Sequence, residues 1–314
     1  MLSTALQGPA NPAYADVSDI IISHWHHDHV DGLPSVLSLL KQLWEVRNPG
    51  RPYTPPRLHK FPLAKGSKGE HNNLKYNNLP KLLEDLPKDL ITPPAPAAAT
   101  QEMFHDLSDG QLFKDPINGH TLARVLHTPG HTVDSISLYI PQDRALYTAD
   151  TVLGHGTAVF EDLATYLSSL NRMLHFGTRE GATDTLDLEY VTLYPAHGGV
   201  VANGRETIAT YIKHRLEREA QVLAVLRSPV PADLSPSSPI PSPGNGAAIW
   251  STWDIVRTLY KSYPESLWLP ASRGIDLHLR KLEGEGFVRR IGGEGVEAQW
   301  RLAVSPVASP TPSL

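Results

Sequence analysis

At 314 residues the chain is long enough for one large domain and a small one, and 40% hydrophobic with 19% charged residues is a globular composition. A formal charge of −5 gives no overall electrostatic case for a polyanionic partner. The complete absence of cysteine excludes disulfides, thiolate zinc ligands and cysteine nucleophiles together.

The opening stretch "MLSTALQGPANPAYADVSD" lacks the basic start and apolar block of a secretion signal, and no apolar run reaches the length of a membrane span. The expectation is a soluble, cytoplasmic chain, or a mitochondrial one if an address lies upstream. "VSDIIIS" (Val17–Ser23) is a β-branched run suited to a buried strand, and it leads directly into "HWHHDH". "LPSVLSLLKQLWEV" (Leu33–Val46) has its apolar residues at helical spacing. Residues 48–100 read as an irregular insertion in which only "RLHKF" suggests a strand. "GHTLARVLHTPGHT" reads as a strand and turn, and "SISLYI" with "RALYTAD" as a hairpin across Pro141–Asp143. A helix over Glu161–Leu174, a strand in "YVTLYPAHGG" and a long helix over Gly204–Ser228 follow. Residues 229–249 are a proline- and serine-rich linker by composition, 250–303 suggest two helices and a hairpin of winged-helix type, and 304–314 suggest a disordered tail. Alternating strands and helices predict an α/β main domain over 1–228.

Four strand ends carry residues of metal-binding type. His24 and His26 are two apart, so an extended segment points them to one side, while Asp28 and His29 in the following turn face a second position. One loop thus offers two adjacent donor sets. His131 in "TPGHT", Asp150 in "YTAD" and His197 in "YPAHGG" add an imidazole, a carboxylate with two oxygens, and another imidazole. Imidazole and carboxylate together suit zinc, with manganese or iron as substitutes. Taken singly, His131 would be a turn histidine and Asp150 a strand-end cap; beside the first cluster they read as ligands. His27 alternates away from the donors, and His155 serves equally well as a loop residue or as a neighbour of the site.

In this order, "HWHHDH", "TPGHT", "YTAD" and "YPAHG" resemble the metallo-β-lactamase superfamily. The resemblance implies an αβ/βα sandwich with a dinuclear zinc site on its edge. Carried over by motif, His24, His26 and His131 hold the first zinc, Asp28, His29 and His197 the second, and Asp150 bridges them. A bridging hydroxide is then the nucleophile, with Asp28 orienting it, and no protein nucleophile is needed. "VLGHGTAVFEDLATYLSSL", "YIKHRLERE" and the terminal unit resemble the β-lactamase-like protein 2 group, whose animal members are described as endoribonucleases. Its fungal relatives include thioesterases that release polyketides from acyl carrier protein in secondary metabolism.

Ala149 and Ala196 replace the family's glycines in "TGD" and "PGHG", a mild change unless the backbone there needs positive φ. Asp31 stands where a glycine is usual. Barely twenty residues precede the histidine string, so the expectation is a chain without the N-terminal strands of the family, with a truncated gene model as the reason.

The first functional expectation is a thioesterase acting on a small-molecule acyl thioester or on acyl carrier protein. The alternatives are a metal-dependent endoribonuclease on single-stranded RNA, and an inactive truncated homologue. Arg273, Arg280, Lys281, Arg289 and Arg290 of the winged-helix unit would serve RNA, but Asp276, Glu283 and Glu285 interleave with them.

Overall fold

The computed structural model describes residues 16–63, 77–95, 103–177, 189–231 and 248–303. The first fifteen residues, the tail and most of the proline-rich linker lie outside them, as do parts of the expected insertion. The chain forms two compact units, one of residues 1–161 with 165–208, the other of 162–164 with 209–314.

The first unit holds two sheets. In one, β1 (Asp19–Ile22), β2 (Arg57–Lys60) and β3 (His105–Asp106) run parallel in that order. Parallel strands need both faces covered, and β1 shows how the sequence meets that need. Ile20 and Ile22 join an apolar cluster with Leu33 and Leu37 of the helix that follows, whereas Ile21 joins Leu107, Val125 and Ile136 on the opposite face. The three consecutive isoleucines therefore face both ways, as a period of two requires. After β1 come a short helix α1 (His27–Val30) and α2 (Leu33–Arg47), whose Leu33, Leu37, Leu40 and Trp44 are buried at helical spacing.

The other sheet has the order β4 (Leu112–Lys114), β5 (Thr121–His127), β6 (Ile136–Ile140), β7 (Ala145–Ala149), β8 (Thr192–Pro195). It is antiparallel except for the β7–β8 pair. The hairpin expected across Pro141–Asp143 is present. Its connection is a single 3-10 turn closed by Arg144 in the left-handed region at φ 46°. The stretch expected to be irregular also contains helix α3 (Leu79–Glu84), which carries Pro80 in its first turn and is only 6 residues long, too short for a readable helical pattern. Helix α4 (Leu163–Leu174) begins after, not at, Glu161, whose backbone N–H donates to Gly130 O at 2.7 Å instead.

In the second unit, β9 (Trp250–Ser251), β10 (Val288–Gly292) and β11 (Gln299–Leu302) form an antiparallel sheet of order β10-β11-β9. With α6 (Thr252–Leu259) and α7 (Trp268–Gly284) it makes the winged helix. Helix α5 (Gly204–Arg227) spans the end of the first unit and the start of this one. Its Val222, Val225 and Leu226 share a core with Trp250, Ile275, Leu279 and Trp300.

Candidate metal centre

β1 ends at Ile22 and runs directly into Ser23–His26. Trp25 is buried in the apolar cluster on the helix side, and His24 and His26 turn the other way. Chain direction changes at His26 (φ −61°, ψ 144°), where α1 starts, and this brings Asp28 and His29 back toward the same place.

Three imidazole nitrogens converge. His26 Nδ1 lies 3.1 Å from His24 Nε2 and 2.9 Å from His131 Nε2. The outer nitrogen of His131, Nδ1, donates to the Val159 carbonyl at 2.8 Å, which leaves Nε2 with a lone pair facing inward. Ser23 Oγ meets His24 Nδ1 at 3.2 Å in the same manner. Burial, with His131, His29 and His26 as neighbouring imidazoles, holds His24 far below the ordinary histidine range. Burial and His131 push His26 down to about 4, and burial keeps His131 low as well. At neutral pH these three rings are uncharged, so lone pairs face one another within hydrogen-bonding distance. That arrangement fits a cation at their centre.

Asp150 joins this group to a second. Its Oδ2 is 3.8 Å from His24 Nε2 and 3.7 Å from His131 Nε2, while its Oδ1 is 3.4 Å from both His29 Nε2 and His197 Nε2. Asp28 Oδ2 completes the second group at 3.2 Å from His197 Nε2 and 3.6 Å from His29 Nε2. Burial would raise the Asp150 carboxyl, but contact with His29 and the nearby His131 and His197 hold it below the ordinary carboxylate range. Burial likewise works against a charged His29, and Asp150 and Asp28 outweigh it, so that imidazole is raised. All seven residues expected from the sequence are brought together, as His24, His26, His131 and Asp150 in one set and Asp28, His29 and His197 in the other. The first set is sunk in the protein; in the second, the side chains of Asp28 and His197 are 43% and 49% exposed. The second set is therefore the part of the cluster that solvent reaches. His27 and His155 are exposed and belong to neither set.

Local backbone explains how the donors are aimed. Gly130, at φ +128°, leaves no room for a side chain: a Cβ there would lie 2.4 Å from Tyr166 Cα. The turn that carries His131 is thus pressed against α4. Gly198, at φ +88°, is equally constrained, since its Cβ would be 2.6 Å from His155 N. Ala149 has φ 46°, so alanine does occupy a left-handed position immediately before Asp150. The replacement is not mild here, and such a residue persists only where surrounding structure holds it. Its carbonyl accepts from Ala196 N at 3.1 Å, across the irregularity in the β7–β8 pairing.

Sequence reading missed the carbonyl of Val159, because any residue supplies one. It also missed the ion pair of Lys60 with Asp134, 2.7 Å long and almost wholly buried.

Residues 14–197 match the model of the metallo-beta-lactamase superfamily, and residues 251–300 match that of the beta-lactamase associated winged helix domain. A Drosophila melanogaster protein named beta-lactamase-like protein 2 homolog is 29% identical over 275 residues, which are 88% of this chain and 71% of the relative. An Aspergillus chevalieri protein named atrochrysone carboxyl ACP thioesterase is 32% identical over 207 residues, 66% of this chain and 47% of the relative. The crystal structure of a beta-lactamase domain protein from Burkholderia ambifaria shares the fold at TM-score 0.54 and 19% identity, covering 91% of this chain and 74% of that one.

Proposed function

The chain belongs to the metallo-beta-lactamase superfamily, whose members are metal-dependent hydrolases, and from that premise we propose that it is a dinuclear zinc acyl thioesterase, of the type that releases a polyketide from acyl carrier protein. The observation that carries the reading is Asp150, with one oxygen toward the three-imidazole set and the other toward His29 and His197. A carboxylate so placed can serve the three-imidazole set and the His29–His197 pair at once, which suits two neighbouring cations. His24, His26 and His131 would hold one, Asp28, His29 and His197 the other, with manganese or iron able to replace zinc.

Bound there, the cations would acidify water and polarise the scissile carbonyl. The protein's own residues supply the rest. Val159 and Ser23 keep the His131 and His24 rings turned with one nitrogen inward. Burial lowers all three imidazoles of the first donor set, which favours their uncharged, cation-binding form. Asp28, half-exposed beside His197, is placed to orient the attacking water by accepting its proton as a hydrogen bond. With no cysteine in the chain, a covalent thiol route is closed.

The thioesterase assignment is supported by fungal relatives of that name at 29% and 32% identity. An RNA substrate is less well served. Arg280 is paired with Asp276 at 2.7 Å, and Lys281 with Glu219 and Glu285 at 2.8 Å each. No helix among the described residues is long and apolar enough to cross a membrane.

The test is hydrolysis of an acyl-pantetheine thioester by the zinc-loaded chain, with Asp28→Ala as control. Turnover that falls by roughly a hundredfold or more in the variant supports the reading. Cleavage of single-stranded RNA with no thioester turnover transfers the site to a ribonuclease. A purified chain that retains no zinc refutes the metal site and leaves an inactive homologue.

A further inference from the structure

Lys60 and Asp134 form a buried ion pair that the proposed chemistry does not use. Lys60 Nζ is 2.7 Å from Asp134 Oδ2, with side chains 4% and 0% exposed. Burying two charges removes them from water, and the attraction seldom returns more than that loss. Stability alone is therefore a poor reason for the pair, and its position suggests another.

Lys60 is the last residue of β2, in register with Ile22, two residues before His24. Asp134 lies three residues after His131 and holds that turn from within. Its Oδ1 accepts from Thr132 Oγ1 at 2.7 Å, and Ser135 Oγ is bonded to the same hydroxyl at 2.7 Å and to Thr132 N at 3.1 Å. Ile136 N donates to Ser23 O at 3.0 Å just beyond. The turn bearing His131 is thus fastened twice to the sheet that bears His24 and His26. One fastening is a backbone bond; the other is the ion pair.

We propose that Lys60 and Asp134 are positioning residues that clamp the His131 turn to the end of β1–β2 and so set the spacing of the three imidazoles in the first donor set. Neither touches a donor atom. The clamp acts only on the first set, because His29 and Asp28 are carried by α1 and His197 by the loop after β8. The inference rests on the metal-site reading above.

Stepwise cobalt titration, read by the visible absorption of the bound ion, tests it without any substrate. His131→Ala and His197→Ala assign the two steps to the two sets. Asp134→Asn and Lys60→Met are each expected to weaken the His131 step at least tenfold, roughly the loss seen when an outer partner of a metal ligand is removed, and to alter its absorption spectrum. The His197 step is expected to hold within about threefold. Each single variant leaves one buried charge and can lose its fold. Lys60→Met/Asp134→Leu fills the space with apolar atoms, keeps the core neutral, and still removes the acceptor of Thr132. It is expected to show the same selective loss. A folded double variant with native cobalt binding overturns the clamp, and so does an equal loss at both steps or a double variant that cannot fold. A native chain that takes up no cobalt refutes the metal-site reading itself, and the clamp with it.

Discussion

Gly130→Ala puts the packing of the His131 turn to a direct test. The added Cβ would lie 2.4 Å from Tyr166 Cα, 2.5 Å from Tyr166 N and 2.7 Å from its Cβ, so it collides with backbone that no rotamer change can move. The residue also sits at φ +128°, where an L side chain is strained whatever the space. Strain of about 1–3 kcal/mol and overpacking of about 1–3 kcal/mol add to roughly 2–6 kcal/mol. Against a typical domain stability of about 5–15 kcal/mol, this is a large fraction. Relief by shifting α4 would pull on Tyr166, whose hydroxyl donates to Thr151 O at 2.7 Å and whose ring stacks on Phe160. Urea unfolding of the variant measures the loss. Gly156→Ala is the control: φ is +76° but nothing lies within 4 Å of its Cβ, so only the backbone contribution of about 1–2 kcal/mol remains. A Gly130→Ala variant that loses less than its Gly156→Ala counterpart would refute the argument that this turn is pressed against the helix.

Other consequences are checked as simply. Asp150→Asn removes the one carboxylate shared by both donor sets, and zinc content measured after dialysis is expected to drop from two equivalents to one or none. His278, 3% exposed in the winged-helix unit, is held down to about 3 by burial and by Arg215, Arg218 and Lys281, against 6.5 in its ordinary state. Between those values the unfolded chain binds a proton that the folded chain refuses. Stability is therefore present in full above about pH 6.5 and is lost as pH falls toward 3, by about 1.4 kcal/mol per unit from this group. His278→Leu is expected to remove that part of the slope, seen as a stability difference from the native chain that changes between pH 7 and 4.5; a constant difference would rule it out. Ser251 caps α6 by accepting from Asp254 N, and Ser251→Ala is expected to lower stability by about 1 kcal/mol in thermal unfolding.

Much of the candidate site is legible in the chain because its signals are local. His24 and His26 share a side by the period of a strand, and the donors Asp28 and His29 come round with one helical turn. The turn carrying His131 announces itself by Pro129 and Gly130, and the loop carrying His197 by Gly198 and Gly199. Elements with a long, regular pattern, such as α2, β5 and α5, are legible for the same reason. β3 and β4, of two and three residues, are not, and neither is α3, whose 6 residues hold less than two helical turns.

What the sequence by itself determined is the chemistry of the donors and the approximate element that carries each, because both depend on residue type and near neighbours. Only the tertiary structure decided that Asp150 divides its two oxygens between two donor sets, and that His26 takes part through Nδ1. It alone decided that Ala149 is forced into a left-handed conformation, that the carbonyl of Val159 fixes the His131 ring, and that Lys60 reaches an aspartate far along the chain. Each of these is a distance or an angle between segments remote in sequence. Such quantities are set by how two sheets and their helices pack, and no spacing rule within one segment contains them.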